Sequence, residues 1–273
     1  MIQFFNKFLI SMHFKIAIPA LIPLCILWSC ATQSNKIAPS IINTLKEYKN
    51  SSELAGTLIY EGSVYPLGPT ESEQVFAYER RVKVSNGITT ATHITHDAGR
   101  NVMVIQSAKY SSNFAFLEFE STNAQTGIRT KVVQDGKILK YLVTERSGKI
   151  IHAEEDVRDP VAVGPTLFGL ISSQWDELTN GSSFYLQFVV AEMKQSYRFE
   201  VRMIENTKLV TRFEMKPTNR LIGLFLSPFI LYFDSSKKSI LTYTGRVPPM
   251  RTIDGKFKDL DARVVYTHLS TYR

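Results

Sequence analysis

From Gly56 onward the chain alternates. Val102, Val104 and Gln106 interleave with Met103, Ile105 and Ser107, and Ala115, Leu117 and Phe119 with Phe116, Glu118 and Glu120. Tyr197, Phe199, Val201 and Met203 interleave with Arg198, Glu200, Arg202 and Ile204, and Leu209, Thr211, Phe213 and Met215 with Val210, Arg212 and Glu214. A side-chain period of two puts alternate residues on opposite faces of a strand, so each run reads as a strand with one buried and one wet face. Asn86-Gly87, Asp135-Gly136 and Ser147-Gly148 fall between such runs, as hairpin turns do. Asp97-Ala98-Gly99 and Glu205-Asn206-Thr207 read as turns too. Short turns make neighbouring strands antiparallel. The pattern predicts a mainly β fold with helices (α+β), built on an antiparallel sheet of about eleven strands.

One interruption is helical. Asp159-Pro160 and Gly164-Pro165 break the strands, and Pro165 suits a first helical residue. Leu167, Leu170, Ile171, Trp175 and Leu178 follow at helical spacing, apart from polar Gln174, until Asn180-Gly181 ends the run. The spacing predicts one amphipathic helix over 166–179, placed between two sheet halves. An antiparallel sheet with an apolar face needs such a cover. A short helix is expected over 41–50, capped by Ser40, with Ile41, Leu45 and Tyr48 on one face.

The N-terminus reads as a leader. Residues 1–29 hold no Asp or Glu, and Lys7 and Lys15 are their only charges. Ile16 to Leu27 is apolar apart from Pro19 and Pro23. That is too short for a spanning helix, which needs about 20 apolar residues, but it fits a secretory signal with a small residue before the cut. Met12 is an alternative start. Leu27-Trp28-Ser29-Cys30 resembles the lipobox of bacterial lipoproteins, in which the cysteine sulfur takes a diacylglycerol. The expected organisation is a signal peptide at 1–29, an acylated Cys30 with a polar tether over 30–40, and a single domain over 41–273. On this reading Cys25 is discarded and Cys30 is a thioether, which excludes disulfides, thiol catalysis and cysteine metal sites together. Ala31 rather than Asp after the cysteine resembles sequences sent on to the outer membrane.

Composition is ordinary for a globular chain of 273 residues, 44% apolar and 21% charged. The net charge of +7 is spread too thinly to argue for nucleic acid. A membrane surface suits it, and a monomer is expected.

Chemistry-bearing clusters are sparse. His93 and His96 form a His-x-x-His beside Asp97, but within a Thr-rich strand positions i and i+3 face opposite ways. They read as solvated turn histidines rather than metal ligands. His152 and Glu154-Glu155-Asp156 read as a solvated acidic connection, and His268 sits in a terminal strand over 264–269. No Gly-x-Ser-x-Gly and no phosphate-cradling glycine loop occurs. The expectation is a non-enzymatic protein with no metal and no cofactor. An enzyme would have to draw on His93, His152 or Glu154.

The thirteen residues from Leu221 to Phe233 carry no charge. They read as a helical turn running into a buried strand, with Pro228 at the junction, or as the wall of a cavity for a lipid chain. Phe213-Glu214-Met215-Lys216-Pro217, then Asn219 to Leu226, then Phe229 to Asp234, and then Ile240, Tyr243 and Gly245 are similar to the C-terminal pattern of the LolA/LolB-like lipoprotein-carrier proteins. That resemblance implies an N-terminal helix and an eleven-stranded unclosed β-barrel, a curved half-barrel covered by short helices. It implies an apolar concavity that shelters acyl chains in the periplasm. The candidate cavity residues are Leu167, Leu170, Ile171, Trp175, Phe225, Phe229, Leu231 and Phe233. The expected partners are the membrane, through Cys30, and a lipid or lipoprotein acyl chain. The alternative is a surface or periplasmic interaction module with a filled core.

The lipobox reading has a direct consequence. Cells fed an alkyne-tagged palmitate are expected to label the wild-type chain and not Cys30→Ser, which should leave the membrane fraction. Equal labelling of the two would overturn the anchor.

Overall fold

The computed structural model describes residues 56–68, 73–224 and 226–268. The predicted leader, Cys30, the tether, the helix at 41–50 and Phe225 lie outside them.

Among the described residues fifteen strands form one sheet. One wing comprises β1 (Thr57–Pro66), β2 (Phe76–Ser85), β3 (Ile88–Asp97), β4 (Val102–Ser111), β5 (Phe116–Asn123), β6 (Ile128–Asp135), β7 (Ile138–Thr144) and β8 (Ile150–Asp156). The other comprises β9 (Val161–Ala162), β10 (Phe184–Val190), β11 (Gln195–Asn206), β12 (Val210–Pro217), β13 (Phe229–Asp234), β14 (Ser239–Ile253) and β15 (Lys256–His268). Strands pair with their neighbours in sequence, and β1 pairs with β15 to join the wings. Every pairing is antiparallel except the two-residue β9 against β10. β8 and β9 are the free edges, so the sheet is unclosed.

The count exceeds eleven for local reasons. β8 carries the acidic run taken for a connection, and β9 is only two residues long. β14 passes through Pro248-Pro249, which cannot donate to a ladder, and its pairing with β15 skips from Val247 to Arg251. The Asn-Gly, Asp-Gly and Ser-Gly turns fall where predicted, whereas Glu205 and Asn206, read as part of a turn, continue β11 and the chain turns after them. Asn86 and Gly87 both take positive φ, and so does the Asp254-Gly255 pair between β14 and β15.

The wings curl toward each other. One apolar cluster joins Phe119, Val132, Leu139 and Tyr141 to Val189 and Ala191, with Val157, Val161 and Val163 from the connection between them. Gln125 ties the β5–β6 turn to β14. Its side-chain amide donates to the Met250 carbonyl at 2.7 Å and accepts from the Met250 N–H at 2.8 Å, imitating a ladder pair.

The inserted helix is two pieces, α1 (Gly164–Ser173) and α2 (Trp175–Thr179). Gln174 departs from helical backbone between them, so the single helix expected over 166–179 is broken at its one polar interruption. Thr166 Oγ1 accepts from the Val163 N–H at 3.1 Å and so helps fix the start of α1. Gly181 ends the segment with φ of 92°. A further turn of helix, α3 (Arg220–Gly223), is capped by Asn219 Oδ1, which accepts from the Leu221 N–H at 2.9 Å. The charge-free run is therefore a helical turn and a buried strand, as its first reading held. Leu221 and Leu224 nevertheless stand 61% and 75% exposed.

Gly169 brings α1 against the β4–β5 turn. A Cβ there would overlap the Phe114 ring, which itself stacks on Tyr110 at 5.3 Å. Alanine ordinarily stabilises a helix interior by about 1 kcal/mol over glycine. Here Gly169→Ala is expected to destabilise by about 1–3 kcal/mol, the cost of overpacking. In a Phe114→Ala background the same change should turn stabilising, as urea denaturation of the four proteins would show.

Candidate functional site

α1 and α2 lie on the inner face of the sheet, and this contact gathers most of the predicted cavity residues. Leu167, Leu170 and Ile171 point inward from α1 and Trp175 from α2, while Phe229, Leu231 and Phe233 alternate along the inner face of β13. All seven are buried, Trp175 the least at 7% exposed. Trp175 meets Phe213 edge-on at 5.4 Å and Phe233 at 5.8 Å. Alternation in strands and helical spacing in the cover are enough to bring them together.

The rings form a continuous wall. Phe199 stacks on Phe229 at 5.6 Å, Phe229 lies 5.8 Å from Tyr243, and Phe168 of α1 lies 6.1 Å from Tyr243 and 5.5 Å from Tyr266. Tyr266 then meets Tyr60 at 4.9 Å. Beyond Tyr60 the wall changes character.

At that end lies Arg80, only 9% exposed. It is in phase with Phe76, Tyr78 and Val82 on the inner face of β2. Its guanidinium donates to the Pro165 carbonyl in the first turn of α1, to His93 Nε2 at 3.0 Å and to Tyr110 Oη at 3.4 Å. It lies 5.7 Å from the Tyr60 ring centre. Tyr60 Oη lies 3.1 Å from His93 Nε2. A guanidinium can only donate, so Nε2 is the acceptor and the His93 proton sits on Nδ1. Tyr78 Oη is enclosed and makes no hydrogen bond within 3.5 Å, though Thr95 influences it from longer range.

Among the described residues no carboxylate faces Arg80. Its neighbours in sequence, Glu79 and Arg81, point to the outer face and pair with each other at 3.2 Å. Burial, and then the Arg80 charge, push the His93 imidazole well below its usual range, so it adds no second charge. Burial pushes the Tyr60 hydroxyl up to about 12 against the opposing pull of Arg80.

Two sequence expectations change here. His93 and His96 do face opposite ways: His96 Nε2 lies 3.4 Å from Glu79 Oε1 on the outer face. They are strand residues rather than solvated turn histidines, and His93 belongs to the enclosed cluster. The acidic run 154–156 is edge strand β8 rather than a connection. There Glu155 accepts from Tyr141 Oη, while His152 and Glu154 stay exposed and away from the site. His268, at the end of β15, donates from Nε2 to the Ile240 carbonyl of β14, and its ring packs 5.5 Å from Tyr60. Arg80 has a sequence signal that goes unread in the alternation above: a lone cation in phase with the apolar residues of a strand. Among the described residues no group of three or more His, Cys, Asp or Glu is placed to hold a metal.

The depressed His93 predicts a pH dependence. The unfolded imidazole takes its proton near 6.5, while the folded one resists it. The stability that follows is fully present above about pH 6.5 and is lost as pH falls below it, by up to about 1.4 kcal/mol per pH unit. Glu192, raised to about 7 by burial, works in the opposite sense. Wild type should therefore lose more stability than His93→Gln between about pH 7.5 and pH 5.5 in urea denaturation. Parallel losses would show that His93 is free to protonate in the fold.

Neither the comparison with protein-family models nor that with curated proteins finds a match. Among solved structures the chain is similar to a β-barrel-like protein of domain of unknown function DUF1849 from Brucella abortus, with a TM-score of 0.47 and 8% identity, covering 77% of this chain and 96% of that one.

Proposed function

We propose that this chain is a non-enzymatic lipoprotein of the cell envelope, anchored at the outer membrane through acylated Cys30, whose domain accepts an acyl chain between the α1–α2 cover and the inner aromatic wall. The observation that carries this reading is the unbroken run of rings from Phe199 to Tyr266 under a short inserted cover. An acyl chain gains about 0.8 kcal/mol for each CH₂ it buries, and such a surface needs no chemistry to hold it. The cover itself meets the sheet mainly through apolar side chains, which an acyl chain can replace like for like. Among its polar ties are Arg80 to the Pro165 carbonyl, Ser172 Oγ to the Lys238 carbonyl at 3.0 Å, and Lys238 to Asp176 at 3.1 Å. The last is an exposed ion pair of a kind that holds by about 1 kcal/mol or less. The resemblance to LolA/LolB-like carriers points the same way.

One observation favours the interaction module instead. Leu167, Leu170, Ile171, Trp175, Leu231 and Phe233 already interlock as a filled core. The two readings separate in native mass spectrometry of the full chain, released from detergent after purification from a bacterial host. Acyl binding predicts a non-covalent adduct of lipid mass that organic extraction removes and added hexadecanoate restores. Phe229→Ala and Phe168→Ala should each weaken its retention about tenfold or more, since each strips a ring from the wall. A chain that stays bare before and after addition leaves the interaction module as the function.

A further inference from the structure

We infer that Arg80 is a head-group site, and that the ligand of this fold is a single-chain anion, an acyl chain ending in a carboxylate or a phosphate monoester. The inference rests on the acyl-binding reading and adds the chemical class of the ligand.

A buried charge is tolerated when it is paired. Among the described residues the hydrogen-bond partners of Arg80 are all neutral: a carbonyl, an imidazole nitrogen and a phenol. Its surroundings add positive potential. The carbonyl it touches belongs to Pro165, in the first turn of α1, where a helix presents its positive end. That turn holds no acidic residue to offset it. A cation beside a helix N-terminus, both enclosed and neither offset among the described residues, marks a place suited to an anion. Tyr78 supplies a second, separate sign: only 8% exposed, its enclosed hydroxyl has no hydrogen-bond partner within 3.5 Å, with Thr95 acting on it from farther off. Arg80 and the Tyr78 hydroxyl share the inner face of β2 two residues apart, and the Tyr78 ring centre lies 6.4 Å from that of His93. A carboxylate or phosphate oxygen there would take charge-assisted hydrogen bonds from the guanidinium and give Tyr78 an acceptor.

The geometry also selects the rest of the molecule. The aromatic wall begins at Tyr60 and Tyr266, directly beside the cluster, and runs on toward Phe229. A ligand spanning both must be polar at one end and apolar along its length. Its charge must be negative, because a neutral head would leave Arg80 as unbalanced as before and a cationic one would add to the repulsion.

The test uses the full chain in native mass spectrometry with four probes of equal chain length: hexadecanoate, hexadecyl phosphate, hexadecanol and hexadecylamine. At least one of the two anions is expected to be retained about tenfold or more tightly than the alcohol, with the amine weakest. Which anion leads distinguishes a free fatty acid from a phosphorylated lipid. Arg80→Gln should bind the anion no better than the alcohol, and Arg80→Lys should keep part of the preference. Retention of all four probes alike would overturn the head-group assignment and leave acyl binding standing. Retention of none would overturn the acyl reading itself. An anion preference that survives Arg80→Gln would remove Arg80 from the site. The wild-type comparison of acid with alcohol holds even if the variants fail to fold.

Discussion

Seven paired positions, from Tyr60 opposite His268 to Pro66 opposite Ala262, hold together segments roughly 200 residues apart in the chain. Every other ladder in the sheet joins strands that are neighbours in sequence or nearly so. Those local pairings close short loops, whereas the β1–β15 pairing must close nearly the whole domain, and loop-closure entropy rises only slowly with length. The pairing is also what places chemistry. It brings Tyr266 against Tyr60 and so couples the aromatic wall of one wing to the polar cluster of the other. Without it the two wings are separate meanders, and each exposes an apolar face.

The opposite end of the ring is handled differently. β8 and β9 follow each other in the chain, yet they do not pair. Val157, Val161 and Val163 fill the space between the wings with side chains instead of a ladder. β8 presents Glu154 and Asp156 to solvent along its length, the kind of charge that discourages another strand from adding to a free edge. The connection then leads directly into α1. The gap in the barrel is thus the point at which the chain can leave the sheet, cross its inner face as a cover, and return as β10. An unclosed sheet and an internal cover are one topological choice.

Much of this architecture was legible in the residues because its signals are local. Alternation located strands at 102–107, 115–120, 197–204 and 209–215, Asn-Gly and Asp-Gly located hairpin turns, and the spacing of Leu167, Leu170 and Ile171 located the cover with its inward face. Strands without a clean period were harder to bound: β8, whose acidic end passed for a connection, and β14, whose prolines sit at a break in pairing. The site was less legible for a related reason. His93, Tyr60, Tyr110 and Arg80 lie on four strands, and only the register of β1 through β4 makes them neighbours. His-x-x-His draws the eye in sequence, yet the pleat sends its two members to opposite faces, one to Arg80 and the other to Glu79. Spacing along one strand therefore pointed away from the true cluster, which runs across strands.

Register also explains why the lone charge is inside. Glu79, Arg80 and Arg81 are consecutive, so a strand of period two must turn either Arg80 or the other two inward. Turning the pair inward would bury opposite charges that neutralise each other. Turning Arg80 inward buries one charge with none among the described residues to balance it. The inner choice nevertheless carries Phe76, Tyr78 and Val82, all at most 8% exposed, and burying such a side chain contributes about 1.5–3 kcal/mol. Three of them outweigh the cost of one guanidinium whose hydrogen bonds are largely met by a carbonyl, an imidazole and a phenol. On the outer face the freed charges do ordinary work: Arg81 meets Glu79, Lys109 and Lys131 meet Glu118, and Arg246 bridges Asp259 and Asp261. Apolar patterning thus forces a cation into the interior, while the outer carboxylates pair with outer cations. A local rule broken at one residue, in a sheet that otherwise obeys it, is where a fold is expected to keep its function.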